Sequence, residues 1–414
     1  MPSAATHLLP GQPESPFREW RHWKVNVGRY LANIFRKKAQ LLVGICVTVV
    51  ILYTFPTITS PLLRTASRND DRQPVQMISD ECLCRYNNVS YDFCYHLPHN
   101  PAIKGRRFSC EHAPYLDDLG LLKGGNLIDL SREDLPTPAF VTAMSENHFD
   151  EGLTLIVYLR KVWPRQKIIV YDLGLSEQSV KDLKNKCLVE LREFPFDKYP
   201  SNVRVLTQYR WKPILIAMVL DEYGAIWYMD TSVRWLKDRR QVVYEEFTCR
   251  RKADSHFLGR PKLGRGSSKD CGKSAYMLHF ASGHSIFAVT DPRTYEYIPT
   301  NKDAIKKQQS ANHDANFAFI VKTTDAVEIV KWYVMCALEN ECMAPAGASL
   351  FCNFQEDRFN HYANCHRYDQ SVINLLLANA YDYDTRNYVS SIGDGATIMR
   401  VSESGFTETD FACE

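Results

Sequence analysis

The residues best suited to chemistry lie at the end of an apolar run. Ala225-Ile226-Trp227-Tyr228-Met229 is uncharged and rich in strand formers, and Asp230-Thr231-Ser232 follows at once. An acid at the tip of a buried strand lies where an α/β sheet opens to ligand. Oxygen donors there suit a hard cation, Mn2+ or Mg2+. Asp230 would bind the metal directly, and Ser232 through its hydroxyl or a water. Such a metal offsets the charge of a diphosphate as Lewis acid and template. The plainer alternative is that Asp230 only caps a turn.

Four further groups carry polar chemistry. In Arg210-Trp211-Lys212-Pro213, Lys212 immediately precedes a predicted helix that starts at Pro213. A cation beside a helix N-terminus favours an anion such as phosphate. In His366-Arg367-Tyr368-Asp369-Gln370-Ser371, Asp369 could serve as a general base or merely cap the helix that follows. Gly283-His284 pairs a residue that permits close backbone approach with an imidazole that can donate to phosphate or sugar oxygen. Asp172 ends the strand Lys167–Tyr171, where it contacts a ribose or base, or only caps the turn at Gly174.

The elements that must hold these residues alternate. Strands are expected at 139–144, 167–171, 189–194 and 225–229, and helices at 146–162, 177–186 and 214–223. Ser176 reads as a helix cap and Gly224 as a helix stop. Strand alternating with helix predicts an α/β fold with a mostly parallel, Rossmann-like sheet covered by helices on both faces. Beyond Arg234 the pattern loosens: strand-like runs occupy 276–290, a basic glycine-bearing loop spans 250–274, helices cover 325–338 and 371–380, and a last strand covers 396–401.

Composition bounds the rest. The chain has 414 residues, 45% hydrophobic and 24% charged, with a formal charge of +2, so nothing points to nucleic acid as a partner. Leu41 to Phe55 is uncharged and almost wholly apolar, and the segment before it is basic. A helix there spans roughly 25 Å, enough for a thin secretory-pathway bilayer. The positive-inside rule then gives a type II protein with a signal-anchor. The expected organisation is a cytosolic tail over 1–38, a transmembrane anchor over 39–58, a stem over 59–80, a cysteine-rich luminal segment over 81–130 and the main domain over 131–414. A cleaved signal peptide fits less well, because its charged region would be unusually long. Of thirteen cysteines only Cys46 falls in the span, and the others favour disulfides of undetermined pairing in an oxidising compartment. Asn88-Val89-Ser90 is a glycosylation sequon that agrees with a luminal loop.

The run from Lys167 to Trp235, with YRWKPILIAMVLDEYGAIWYMDTSVRW at its end, resembles an animal family known as domain of unknown function 1647. CHRYDQSVINLLLAN, from Cys365, fits the same family. More loosely, the strand order, the D-x-D-like tip and the later D-Q-x-x-x-N helix resemble glycosyltransferases of the GT-A fold, especially family 8. That resemblance implies a luminal Golgi enzyme moving a sugar from a nucleotide sugar, UDP-linked for preference, to a glycan or glycoprotein acceptor. It implies that Thr142, Ala143 and Met144 hold the nucleotide, that Asp369 and Gln370 face the transferred sugar, and that Asp230 and Ser232 bind the metal. Asp172, Arg210, Lys212 and His284 complete the expected donor site. The second acid of D-x-D is missing, since Ser232 stands there, and no H-x-x-G-x-x-K follows. A catalytically inactive glycan-binding or scaffolding protein is therefore the alternative. A sulfotransferase ranks last, for TAMSENH after the first strand lacks a phosphate-cradling loop. A homodimer is left open.

Overall fold

The sequence folds around six strands because its longest apolar runs are strand-length and separated by turn residues. The computed structural model describes residues 80–130, 132–253 and 273–414, with the backbone alone over 247–253. The expected tail, anchor and nearly all of the stem lie outside the described residues, as does most of the loop at 250–274. Among the described residues no helix is long and apolar enough to cross a membrane.

In chain order the main elements are β1 (Ala139–Met144), α1 (Phe149–Val162), β2 (Ile168–Asp172), α2 (Glu177–Asn185), β3 (Val189–Glu193), α3 (Trp211–Tyr223), β4 (Ala225–Met229), β5 (Tyr276–Leu278), β6 (Phe317–Val321), α4 (Thr324–Leu338) and α5 (Asp369–Ala380). The sheet order is β5-β6-β4-β1-β2-β3. The pairs β4–β1, β1–β2 and β2–β3 are parallel, whereas β6 runs antiparallel to both β4 and β5. The fold is thus α/β with a mostly parallel six-stranded sheet.

Burial follows from sequence. Every residue of β1, β4 and β6 is buried, as strands covered on both faces require. Helix α3 is apolar nearly all round and buries Trp211 through Ala217, Val219 and Leu220. It ends at Gly224, whose φ of 74° is the left-handed stop that glycine adopts without strain. Trp227 anchors the core between Phe319 at 4.5 Å and Trp235 at 5.2 Å.

Two of the boundaries that differ from expectation bear on the site. Helix α3 begins at Trp211, so Lys212 sits within its first turn instead of before it, and α5 begins at Asp369. The turn before the helix explains the former: the Lys212 N–H donates to the Tyr209 carbonyl at 3.1 Å, and the turn runs straight into the helix.

Strand order decides where a ligand can enter. The chain steps outward from β1 through β2 to β3, then returns to place β4 on the other side of β1. This reversal is a switch point, and the crevice at its carboxyl end is the favoured ligand site of open α/β sheets. Asp230 follows β4 at that end.

Disulfides staple the segments outside the sheet: Cys82–Cys94 and Cys84–Cys110 in the first segment, Cys336–Cys342 at the end of α4, Cys352–Cys365 ahead of α5, and Cys187–Cys413 near residue 414. The last closes a sequence separation of 226. Replacing Cys187 and Cys413 together by serine is expected to cost about 2–4 kcal/mol, because closing so long a loop restrains the unfolded chain. Urea unfolding of both forms measures the difference.

Candidate active site

The turn after β4 is fixed before any side chain is considered. The Asp230 N–H donates to the Asn316 carbonyl at 2.7 Å, and the Asp230 carbonyl accepts from Val233 N–H at 3.0 Å. The Thr231 hydroxyl donates to the Glu151 carboxylate on α1, and buried Arg234 donates to the Thr231 carbonyl. Gly152 lets the strand tips come together: a Cβ there would collide with the Met144 side chain and lie 3.4 Å from Thr231 Cγ2. Thr231 and Ser232 are buried, while the Asp230 side chain keeps 27% of its surface open.

Lys212 joins this turn to α5. Its Nζ lies 3.2 Å from Asp230 Oδ1 and 2.7 Å from Asp369 Oδ2, and its side chain is only 3% exposed. Tyr209, Tyr228 and Trp211 rings surround it at 5.2, 5.5 and 5.8 Å. Burial alone would lower the ammonium pKa, but Asp230 and Asp369 outweigh it and hold it above its ordinary value. Asp369 is 6% exposed, and burial raises its carboxyl pKa against the opposing pull of Lys212. The Tyr228 hydroxyl donates to Asp230 Oδ1, and burial followed by the charge of Asp230 keeps that phenol protonated. Two carboxylates and one ammonium leave one net negative charge, and Asp230 is the member that faces solvent.

Backbone strain marks the same place. Tyr209 has φ of 55° and Tyr368 has φ of 44°, both left-handed and uncommon for an aromatic residue. Each costs on the order of 1–3 kcal/mol and persists only where its surroundings enforce it. One sits three residues before Lys212, and the other immediately before Asp369.

The other expected residues are placed as follows. Gln370 Nε2 donates to Ser282 Oγ at 2.8 Å, while Ser282 Oγ donates to Asp314 Oδ1 at 2.7 Å. Asn374 holds that group by accepting from His313 N–H and donating to its carbonyl. His284 is buried against Phe354, and burial lowers its pKa to about 4, so it is neutral. Asp172 caps a turn, its Oδ1 accepting from Gly174 and Leu175 N–H at 2.7 Å each.

Two expectations need correction. Arg210 is no phosphate ligand: its guanidinium is buried and donates to the carbonyls of Ala337, Glu339 and Asn340 at 2.7–2.8 Å, closing the end of α4. Thr142, Ala143 and Met144 are all buried within β1, so their side chains offer no open surface to a nucleotide.

The donor set does not fit a divalent cation. At the turn both oxygens of Asp230 already accept from Lys212 or Tyr228, and the Glu151 carboxylate already accepts from Thr231 and His148. Ser232 is buried. Among the described residues, the one grouping of three acids, histidines or cysteines close enough to share an ion is Cys82, Asp92 and Cys94, and those cysteines form a disulfide.

Sequence reasoning missed two arginines here. Met399 N–H donates to the Ser232 carbonyl at 2.8 Å, which brings exposed Arg400 beside the turn. Arg367 lies two residues before Asp369, and its Nε is buried without a hydrogen-bond partner.

Residues 81–217 match the family described as Protein of unknown function (DUF1647). No curated protein matches the sequence. Among solved structures, the galactosyltransferase LgtC with donor and acceptor sugar analogues is similar at 10% identity and TM-score 0.32, covering 64% of this chain and 87% of that one. Mouse xyloside xylosyltransferase 1 is similar at 9% identity and TM-score 0.32, covering 58% and 81%. Core-mannan synthase A from Aspergillus fumigatus, in an Mn/GDP form, is similar at 11% identity and TM-score 0.31, covering 64% and 77%. Values this low assign no activity to this chain, and its chemistry has to be read from its own side chains.

Buried histidines nearby set an acid limit on the fold. His366 accepts at Nδ1 from Asp291 N–H and donates at Nε2 to the Met343 carbonyl, and burial lowers its pKa to about 4. His279, stacked on Trp227, is lowered to about 3 by burial. Both bind protons more readily unfolded, near pKa 6.5. Their contribution is therefore complete above that value and lost as pH falls toward about 4. Going from about pH 7 to about pH 5 should cost roughly 2 kcal/mol for each. Replacing His279 by Phe should flatten the measured stability–pH curve in that range.

Proposed function

We propose that this chain transfers a sugar from a nucleotide-sugar donor to a glycan or glycoprotein acceptor, in the lumen of the Golgi, as an anchored type II protein. The observation that carries the reading is the Lys212 bridge between Asp230 and Asp369, at the carboxyl end of β4 beside the switch point. Glycosyl transfer develops positive charge on the sugar and negative charge on the departing diphosphate. The half-buried carboxylate of Asp230, held by Tyr228 and Lys212, supplies the negative field that favours the former. Gln370, already oriented by Ser282, can hydrogen-bond a sugar hydroxyl. Asp369 is too enclosed to take a proton from an acceptor and serves to fix Lys212. The five disulfides among the described residues support an oxidising compartment.

A panel of UDP-, GDP- and CMP-linked sugars, incubated with the full chain and mixed glycan acceptors, tests the proposal by nucleotide release. Release from one donor supports it, and no release from any donor overturns it. A second reading, a glycan-binding protein without turnover, is favoured by the enclosure of Asp369 and predicts donor or glycan binding without release.

A further inference from the structure

The site described above is one net charge negative, yet a nucleotide donor brings a diphosphate that is itself anionic. Something positive must therefore stand beside Asp230. The donor set there is poor for a divalent cation, since Asp230 is occupied by an ammonium and a phenol, Glu151 by the Thr231 hydroxyl and His148, and the Ser232 hydroxyl is buried. Lys212 cannot serve, because both of its acids hold it and it has almost no open surface.

Two cations remain. The short strands Val233–Trp235 and Ala396–Ile398 pair antiparallel, with Val233 opposite Ile398. The pairing continues through Met399 N–H to the Ser232 carbonyl, so the next residue, Arg400, emerges at the same turn as Asp230. Arg367 lies immediately before the strained Tyr368 and two residues before Asp369. Its backbone is pinned, the N–H donating to Ser371 Oγ at 3.0 Å and to the Val289 carbonyl at 3.1 Å. Neither guanidinium forms an ion pair among the described residues, and Arg367 Nε is shut off from water with no acceptor to meet it. The two repel one another enough to oppose the charging of Arg367, after the larger effect of burial. Two like charges that make no ion pair, one of them partly buried, are costly to hold together unless an anion completes them.

We infer that the guanidinium groups of Arg367 and Arg400 grip the diphosphate of the donor, with no divalent cation between protein and phosphate. The inference rests on the nucleotide-donor reading above. Arginine suits the task because its planar fork donates two parallel hydrogen bonds to phosphate oxygens and stays charged at any working pH. Such contacts also stabilise the leaving diphosphate as the glycosidic bond breaks.

The test is calorimetric titration of the full chain with UDP and with GDP, once in EDTA and once in Mn2+. Binding of either nucleotide should differ by less than about threefold between the two conditions, and Arg400→Gln and Arg367→Gln should each weaken it by about tenfold or more. Arg400 is exposed, so its variant should melt as the parent does and keep the comparison clean. A gain of about tenfold with Mn2+, or arginine variants that bind as the parent does, would overturn the inference while leaving the donor reading in place. No binding in either condition overturns both.

Discussion

Lys212→Met should destabilise the folded chain by about 3–5 kcal/mol, the usual consequence of removing one partner from a buried charge group. Nothing else neutralises the two acids from within. Asp369 would lie enclosed with no counter-charge, and Asp230 would face it across the space the ammonium had filled. The penalty has a definite pH dependence. Burial already raises the Asp369 carboxyl, and losing Lys212 removes the main opposing influence. An acid whose folded pKa is raised favours the fold at low pH and loses that advantage as pH rises. The variant should therefore lag behind the parent least in acid and most near neutrality. Adding Asp369→Asn should recover part of the loss, since an amide needs no counter-ion. Urea unfolding of the single and double variants across pH measures this, and independent losses that simply add would contradict a coupled triad.

Asp230→Asn should lower turnover by about 10²–10³-fold, the range seen when one preorganised charge or donor of an active site is removed. Stability should change little, because Asp369 still holds Lys212 and Asp230 is the solvent-facing member. Nucleoside diphosphate affinity should hold or improve, for the amide removes a negative charge near the phosphates. Kinetics with saturating donor, beside a binding titration, separate these effects. An unchanged rate would place the chemistry elsewhere.

The parts of this arrangement written locally were legible. The apolar runs of β1 and β4 and the Gly224 stop fixed three element boundaries to within a residue, and the abrupt acid after Met229 marked the strand tip. What failed was long-range. Arg210 and Lys212 look alike in sequence, two cations at a helix start. Only the fold sends Arg210 to carbonyls 127–130 residues away and Lys212 to Asp369. Arg400 follows a weak three-residue strand, and nothing in local periodicity says that this strand closes on Val233–Trp235. The burial of Asp369 was equally hidden, because an acid at a helix start reads as an exposed cap. The cysteine pairing, too, depended on the fold, as Cys187 with Cys413, 226 residues apart, shows.

Hydrogen–deuterium exchange of the full chain with and without a saturating nucleoside diphosphate locates the ligand directly. The account predicts protection concentrated in the turn after Met229, around Arg367 to Gln370 and around Arg400. A groove of about 770 Å3 lined by Pro136, Pro138, Arg240 and Tyr244 lies at the opposite end of β1. Protection confined to that groove, with the Asp230 turn exchanging as before, would contradict it.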